Sequence, residues 1–280
     1  MIALLAPGQG SQTEGMLSPW LQLPGAADQI AAWSKAADLD LARLGTTAST
    51  EEITDTAVAQ PLIVAATLLA HQELARRCVL AGKDVIVAGH SVGEIAAYAI
   101  AGVIAADDAV ALAATRGAEM AKACATEPTG MSAVLGGDET EVLSRLEQLD
   151  LVPANRNAKA RVRALGVAGA FHTEFMAPAL DGFAAAAANI ATADPTATLL
   201  SNRDGKPVTS AAAAMDTLVS QLTQPVRWDL CTATLREHTV TAIVEFPPAG
   251  TLSGIAKREL RGVPARAVKS PADLDELANL

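Results

Sequence analysis

The chain has 280 residues, half of them hydrophobic, which is enough to bury a large core and too apolar for a disordered protein. Its 21 Lys and Arg against 31 Asp and Glu leave a net charge of −10, the wrong sign for a nucleic-acid binder that must neutralise phosphates. The start lacks a basic leader with a cleavage site, and no long unbroken apolar run follows, so a soluble cytoplasmic protein that avoids membranes is expected.

Three cysteines, Cys78, Cys124 and Cys231, lie far apart with no C-x-x-C pair, which points away from a zinc site or a disulfide framework and towards a reducing compartment.

In chain order, Ile2 to Ala6 reads as a strand, and "APGQGSQTEGM" follows it directly. Gly8 and Gly10 free the backbone around Gln9, and Ser11 with Glu14 predicts a capping box opening a helix, whose N–H groups could hold an anion. A phosphate loop is excluded because no Lys-Ser/Thr ending follows, and the glycine spacing fails G-x-G-x-x-G. The alternatives are an oxyanion hole or a plain strand-to-helix turn.

Pro61 to Arg77 predicts an amphipathic helix, with Leu62, Ala65, Ala66, Leu69 and Ala70 on its apolar stripe. Val85 to Ala88 predicts a strand that runs into Gly89-His90-Ser91-Val92-Gly93. A strand entering and a helix leaving this pattern make a nucleophile elbow, in which the glycines permit the sharp turn that holds the serine hydroxyl in the open. Ser91 needs a base, and there are only four histidines. His71 falls in a helical stretch, His238 in a polar segment, and His90 adjoins the serine; His172, at the end of an apolar run among small residues, is the base or else a satisfied structural histidine. Arg116, within "VALAATRGAEMAKA", is either paired inside or snorkelled to water.

Met131 to Val167 predicts a smaller inserted module: a strand at "MSAVLG", a helix from about Thr140 to Leu149, then polar "ANRNAKARVR" leading into an apolar run at Val162 to Val167. Further strands are expected at Thr198 to Leu200 and Ala242 to Phe246. Strands alternating with helices argue for a parallel α/β sheet. Expected boundaries are a large domain over 1–130 and 168–280 and a small one over 131–167.

Gly8 to Gln12, Gln60-Pro61, Gly89 to Gly93, Arg116-Gly117, Phe171-His172 and "QLTQPVRW" from Gln221 to Trp228 fall in one order along nearly the whole chain. In this the sequence resembles the malonyl-CoA:acyl carrier protein transacylase family. The resemblance implies a large α/β-hydrolase-like parallel-sheet domain with a ferredoxin-like insert.

It implies Ser91 as the acylated nucleophile, His172 as its base, and the carbonyl of Gln221 orienting the imidazole. The N–H groups of Gln9 and Val92 would form the oxyanion hole, Arg116 would grip the malonate carboxylate, and Phe171 would disfavour branched acyl groups. The implied partners are malonyl-CoA and the phosphopantetheine thiol of acyl carrier protein, with no metal or other cofactor. An acyl hydrolase on the same elbow, a trans-acting acyltransferase of polyketide synthesis and a non-catalytic carrier-binding module are the alternatives.

The chain departs from the family pattern twice. Phe246-Pro247-Pro248-Ala249-Gly250 stands where Gly-Pro-Gly is usual, and Ala158 is joined directly to Lys159 where about twenty more residues, a strand and a helix, are expected. The small module therefore reads as shortened, which puts in doubt the roles of Asn155 and Asn157 in its wall. Of the short basic clusters, Lys257, Arg258 and Arg261 are one place where an acidic carrier protein could dock.

Overall fold

A computed structural model describes residues 1–136, 138–149, 151 and 159–280. Among them are seven strands: β1 (Ile2–Ala6), β2 (Val85–Gly89), β3 (Ser132–Gly136), β4 (Lys159–Ala164), β5 (Thr198–Leu199), β6 (Ala242–Glu245) and β7 (Ala265–Ala267). Five form a wholly parallel sheet in the order β5-β2-β1-β6-β7, with Leu5 of β1 level with Ala88 of β2 and Glu245 of β6.

The central strands are apolar on both faces because both are covered. Leu4, Ala6, Val87 and Val244 belong to one core cluster, and the alternating Leu5, Ala3, Ala88, Ile86 and Ile243 belong to another beneath Trp228 and Leu252.

The helix expected from Pro61 runs from Thr56 to Arg76, opened by Asp55, whose carboxylate accepts from the Ala57 N–H at 2.8 Å. Every residue from Ala59 to Ala70 is buried, so this is a helix covered on all sides rather than the one-striped helix the spacing suggested. Burial outweighs the local penalty of Pro61 inside it.

The apolar run at Val162 to Val167 contributes β4, which begins at Lys159, ends at Ala164 and pairs antiparallel with β3, outside the parallel sheet. The helix that follows β3 in the chain spans Glu139–Gln148. Asn155, Asn157 and the junction at Ala158 lie outside the described residues.

The helix Thr251–Glu259 leaves the C-terminal end of β6 and returns to the start of β7, so Lys257, Arg258 and Arg261 lie at the N-terminal end of the sheet. Ser91 follows the C-terminal end of β2, at the opposite end, which argues against that cluster as a surface for delivering an acyl chain to it.

Candidate active site

The parallel sheet brings the segments after β1 and β2 side by side, where ligands of open α/β sheets bind. The His90 N–H bonds the Ala6 carbonyl at 3.0 Å, continuing the ladder, before the chain turns into the helix Gly93–Ile100. Ser91 sits in that turn with φ +54°, a left-handed conformation costing a non-glycine residue about 1–3 kcal/mol. The flanking glycines are required by contact as well as by flexibility. A Cβ on Gly89 would lie 2.0 Å from the Gly93 carbonyl oxygen, and one on Gly93 would lie 2.3 Å from that of Ala6.

The strain is held by named partners. The Ser91 N–H donates to Asn202 Oδ1 at 2.8 Å, while Asn202 Nδ2 donates to the Gly89 carbonyl at 2.7 Å.

His172 reaches the elbow from a loop tied down by Ala170 N–H to Thr129 Oγ1 (2.9 Å) and Thr173 Oγ1 to the Ala170 carbonyl (2.6 Å). It too is left-handed, with φ +61°. Its Nε2 is 2.7 Å from Ser91 Oγ and its Nδ1 is 2.8 Å from the Gln221 carbonyl oxygen. A carbonyl only accepts, so Nδ1 carries the proton and Nε2 is left to accept from the serine hydroxyl. Burial, and after it the charge of Arg116, push the imidazole down to about 3, so it is neutral at physiological pH.

Arg116 is fully buried in the helix Ala106–Thr126, which packs closely on the helix Thr56–Arg76: a Cβ on Gly117 would stand 2.6 Å from the Thr56 carbonyl oxygen. Its Nη1 donates to Gln60 Oε1 and its Nη2 to Gln221 Oε1, each at 2.8 Å, and Nη2 is 3.5 Å from Ser91 Oγ. Its Nε has no hydrogen-bond partner, and it forms no ion pair among the described residues. Burial lowers it to about 10, still a cation at neutral pH. A buried guanidinium whose hydrogen-bond partners among the described residues are two neutral amides and a hydroxyl is suited to an anionic ligand.

Val92 is the N-cap of the helix Gly93–Ile100, where amide N–H groups have no intrahelical acceptor. The loop carrying Gln9 presses on the elbow, since a Cβ on Gly8 would lie 2.7 Å from the His90 carbonyl oxygen. No helix begins at Ser11, however. Ser11 Oγ donates to the Gly8 carbonyl at 2.6 Å, and Glu14 is drawn away to Thr50, accepting from its N–H at 2.6 Å and its Oγ1 at 2.7 Å. The first α-helix starts at Ala26, so any anion held at Gln9 meets loop backbone, not a helix terminus. Phe171 is 6% exposed and packs into the main core beside His172.

The structure thus brings together Ser91, His172, Gln221 and Arg116, and adds Gln60, Glu94 and Asn202, for which the sequence reading gave no role. Glu94 and Asn202 look unremarkable in sequence, an acid in a first helical turn and an asparagine just beyond a strand, while Gln60 stands out only as part of the Gln60-Pro61 motif.

The acyl transferase domain family matches residues 4–170. The chain is 93% identical over 302 positions to the malonyl CoA-acyl carrier protein transacylase of Mycobacterium tuberculosis strain H37Rv, with 100% of both covered. Those 302 positions exceed the 280 residues here by 22, a shortfall of the size expected in the small module. Since 280 of 302 is itself 93%, the residues present match that relative almost throughout.

The crystal structure of MCAT from M. tuberculosis superposes with a TM-score of 0.97 at 92% identity, covering 100% of each chain. A malonyl-transacylase solved in complex with its type II polyketide acyl-carrier protein superposes at 0.90 with 28% identity, covering 99% of each.

Proposed function

Because the chain belongs to the acyl transferase domain family and, within it, to the malonyl CoA-acyl carrier protein transacylases, we propose that it carries malonyl groups from malonyl-CoA to the phosphopantetheine thiol of acyl carrier protein, supplying fatty acid synthesis. Ser91 Oγ attacks the thioester carbonyl as its proton passes to His172 Nε2, 2.7 Å away. The backbone N–H groups of Gln9 and Val92 take the oxyanion. Collapse breaks the C–S bond, and the imidazolium returns its proton to the CoA sulfur.

The carrier thiol then attacks malonyl-Ser91 by the reverse sequence, giving a ping-pong reaction. The Gln221 carbonyl keeps the imidazole in the required tautomer throughout. No step calls for a metal or redox cofactor. A cytoplasmic setting suits the free thiols Cys78, Cys124 and Cys231, and no helix among the described residues is long and apolar enough to cross a membrane.

The observation that carries this reading is Arg116, buried 3.5 Å from Ser91 Oγ with no ion pair among the described residues. A malonyl ester on Ser91 supplies the missing carboxylate, and an acetyl ester does not. Phe171, beside His172, would crowd a branched acyl chain.

Initial rates with malonyl-CoA and holo carrier protein both varied should give parallel double-reciprocal lines, with malonyl-carrier as the product. Free malonate formed at the rate of CoA release would favour an acyl hydrolase on the same elbow. Running fatty-acid and type II polyketide carriers side by side would show which one the protein serves.

A further inference from the structure

Glu94 is fully buried on the first turn of the helix Gly93–Ile100, and no step of the proposed transfer uses it. Its Oε1 accepts the Asn202 N–H at 2.7 Å and its Oε2 accepts Gln221 Nε2 at 2.5 Å. The same Gln221 nitrogen also faces two acceptors at 3.1 Å, the Ser91 carbonyl and Asn202 Oδ1.

A primary amide can sit either way round, but a carboxylate with both oxygens taken by N–H donors admits only the nitrogen. The amide oxygen of Gln221 is therefore turned to the other side, where it accepts Arg116 Nη2 at 2.8 Å. Reversed, the amide would set its own donors against the guanidinium. Burial raises Glu94, while the Asn202 N–H, the Arg116 charge and Gln221 pull it down; because both oxygens face N–H donors, a proton on it would have no acceptor, and the ionised form is the one this arrangement holds.

We infer that Glu94 is a specificity-determining positioning residue: by holding the Gln221 amide in one orientation it aims Arg116 at the acyl group on Ser91, and so sets the preference for carboxylate-bearing acyl groups. It touches neither Ser91 Oγ nor the imidazole, whose Nδ1 is on the Gln221 main chain. Its effect on selectivity runs through the Gln221 side chain. The inference rests on the proposed reading of Arg116 as the carboxylate grip.

The test compares kcat/KM for malonyl-CoA and acetyl-CoA, with thermal melting as the check on folding, in the unaltered protein, Arg116→Ala, Glu94→Gln, Gln221→Met and the double variant Glu94→Gln/Gln221→Met. Gln221→Met keeps the main-chain carbonyl that holds His172, and whatever rate it costs both substrates in common, the malonyl-over-acetyl ratio should drop about tenfold or more, as expected for one lost charge-assisted hydrogen bond. Glu94→Gln should lower the ratio likewise, because a glutamine presents a donor to one of two donors. The double variant should be no less selective than Gln221→Met.

Parallel loss for both substrates, or losses that multiply in the double variant, would overturn the inference. If Glu94→Gln does not fold, Gln221→Met decides, and an unchanged ratio there overturns it. If the unaltered protein has no malonyl preference, or Arg116→Ala keeps it, the reading of Arg116 has failed and the inference with it.

Discussion

Arg116→Ala separates recognition of the acyl group from the transfer chemistry. In the proposed malonyl-enzyme the guanidinium and the malonyl carboxylate form a buried pair, and removing one partner of such a pair costs about 3–5 kcal/mol. At ~1.36 kcal/mol per tenfold, kcat/KM for malonyl-CoA should fall roughly 10²- to 10⁴-fold. Acetyl-CoA leaves the cation unpaired even in the intact protein, so its rate should stay level or rise.

The variant also strips the Gln60 and Gln221 amide oxygens of their 2.8 Å donors, a stability cost of about 1–3 kcal/mol for each, so thermal melting must accompany the kinetics. The assay is CoA release in the presence of holo carrier protein, with each acyl-CoA in turn. A parallel fall for malonyl and acetyl in a folded variant would refute the reasoning, because it would make Arg116 a structural strut.

The same variant should raise the His172 pKa from about 3, since the Arg116 charge is one of the causes that depress it; 15N chemical shifts of the imidazole across a pH series report this directly. An unmoved titration would mean that burial alone sets it. Gly89→Ala places a Cβ 2.0 Å from the Gly93 carbonyl oxygen, so the elbow must shift, and both the melting temperature and the acylation rate should drop. Wild-type acylation with an intact melt would contradict the contact.

Stability should fall on acidification below 6.5. His71 and His90 are lowered to about 4 and His172 to about 3, each chiefly by burial, so the unfolded chain binds protons there that the native state refuses. The slope is at most about 1.4 kcal/mol per pH unit for each histidine, and denaturant midpoints at pH 7 and pH 5 measure it. A midpoint higher at pH 5 would contradict the sign.

Much of the elbow is legible in sequence because its constraints are local: Gly89, Ser91 and Gly93 stand within five residues, and the glycines answer to contacts under 3 Å with backbone. The strands on either side are legible for the same reason, as short branched runs covered on both faces. The buried polar cluster around Arg116 is not. Arg116 meets Gln60 across 56 positions, Asn202 meets Ser91 across 111 and Glu94 across 108, so only the packed fold shows which polar residues are buried together.

The capping box at Ser11 was misleading because Glu14 has a better partner 36 positions away, in Thr50. The β4 boundary was displaced because Lys159 and its neighbours carry no apolar signal while still pairing with β3.

The central claim is a malonyl group carried on Ser91 and handed to a carrier thiol, and the intact mass of the protein after brief exposure to malonyl-CoA tests it most directly. The account predicts a single malonyl adduct that forms poorly from acetyl-CoA, is absent in Ser91→Ala, and is discharged by holo carrier protein. Rapid CoA release with no adduct at any time, or an adduct that persists in Ser91→Ala, would contradict it.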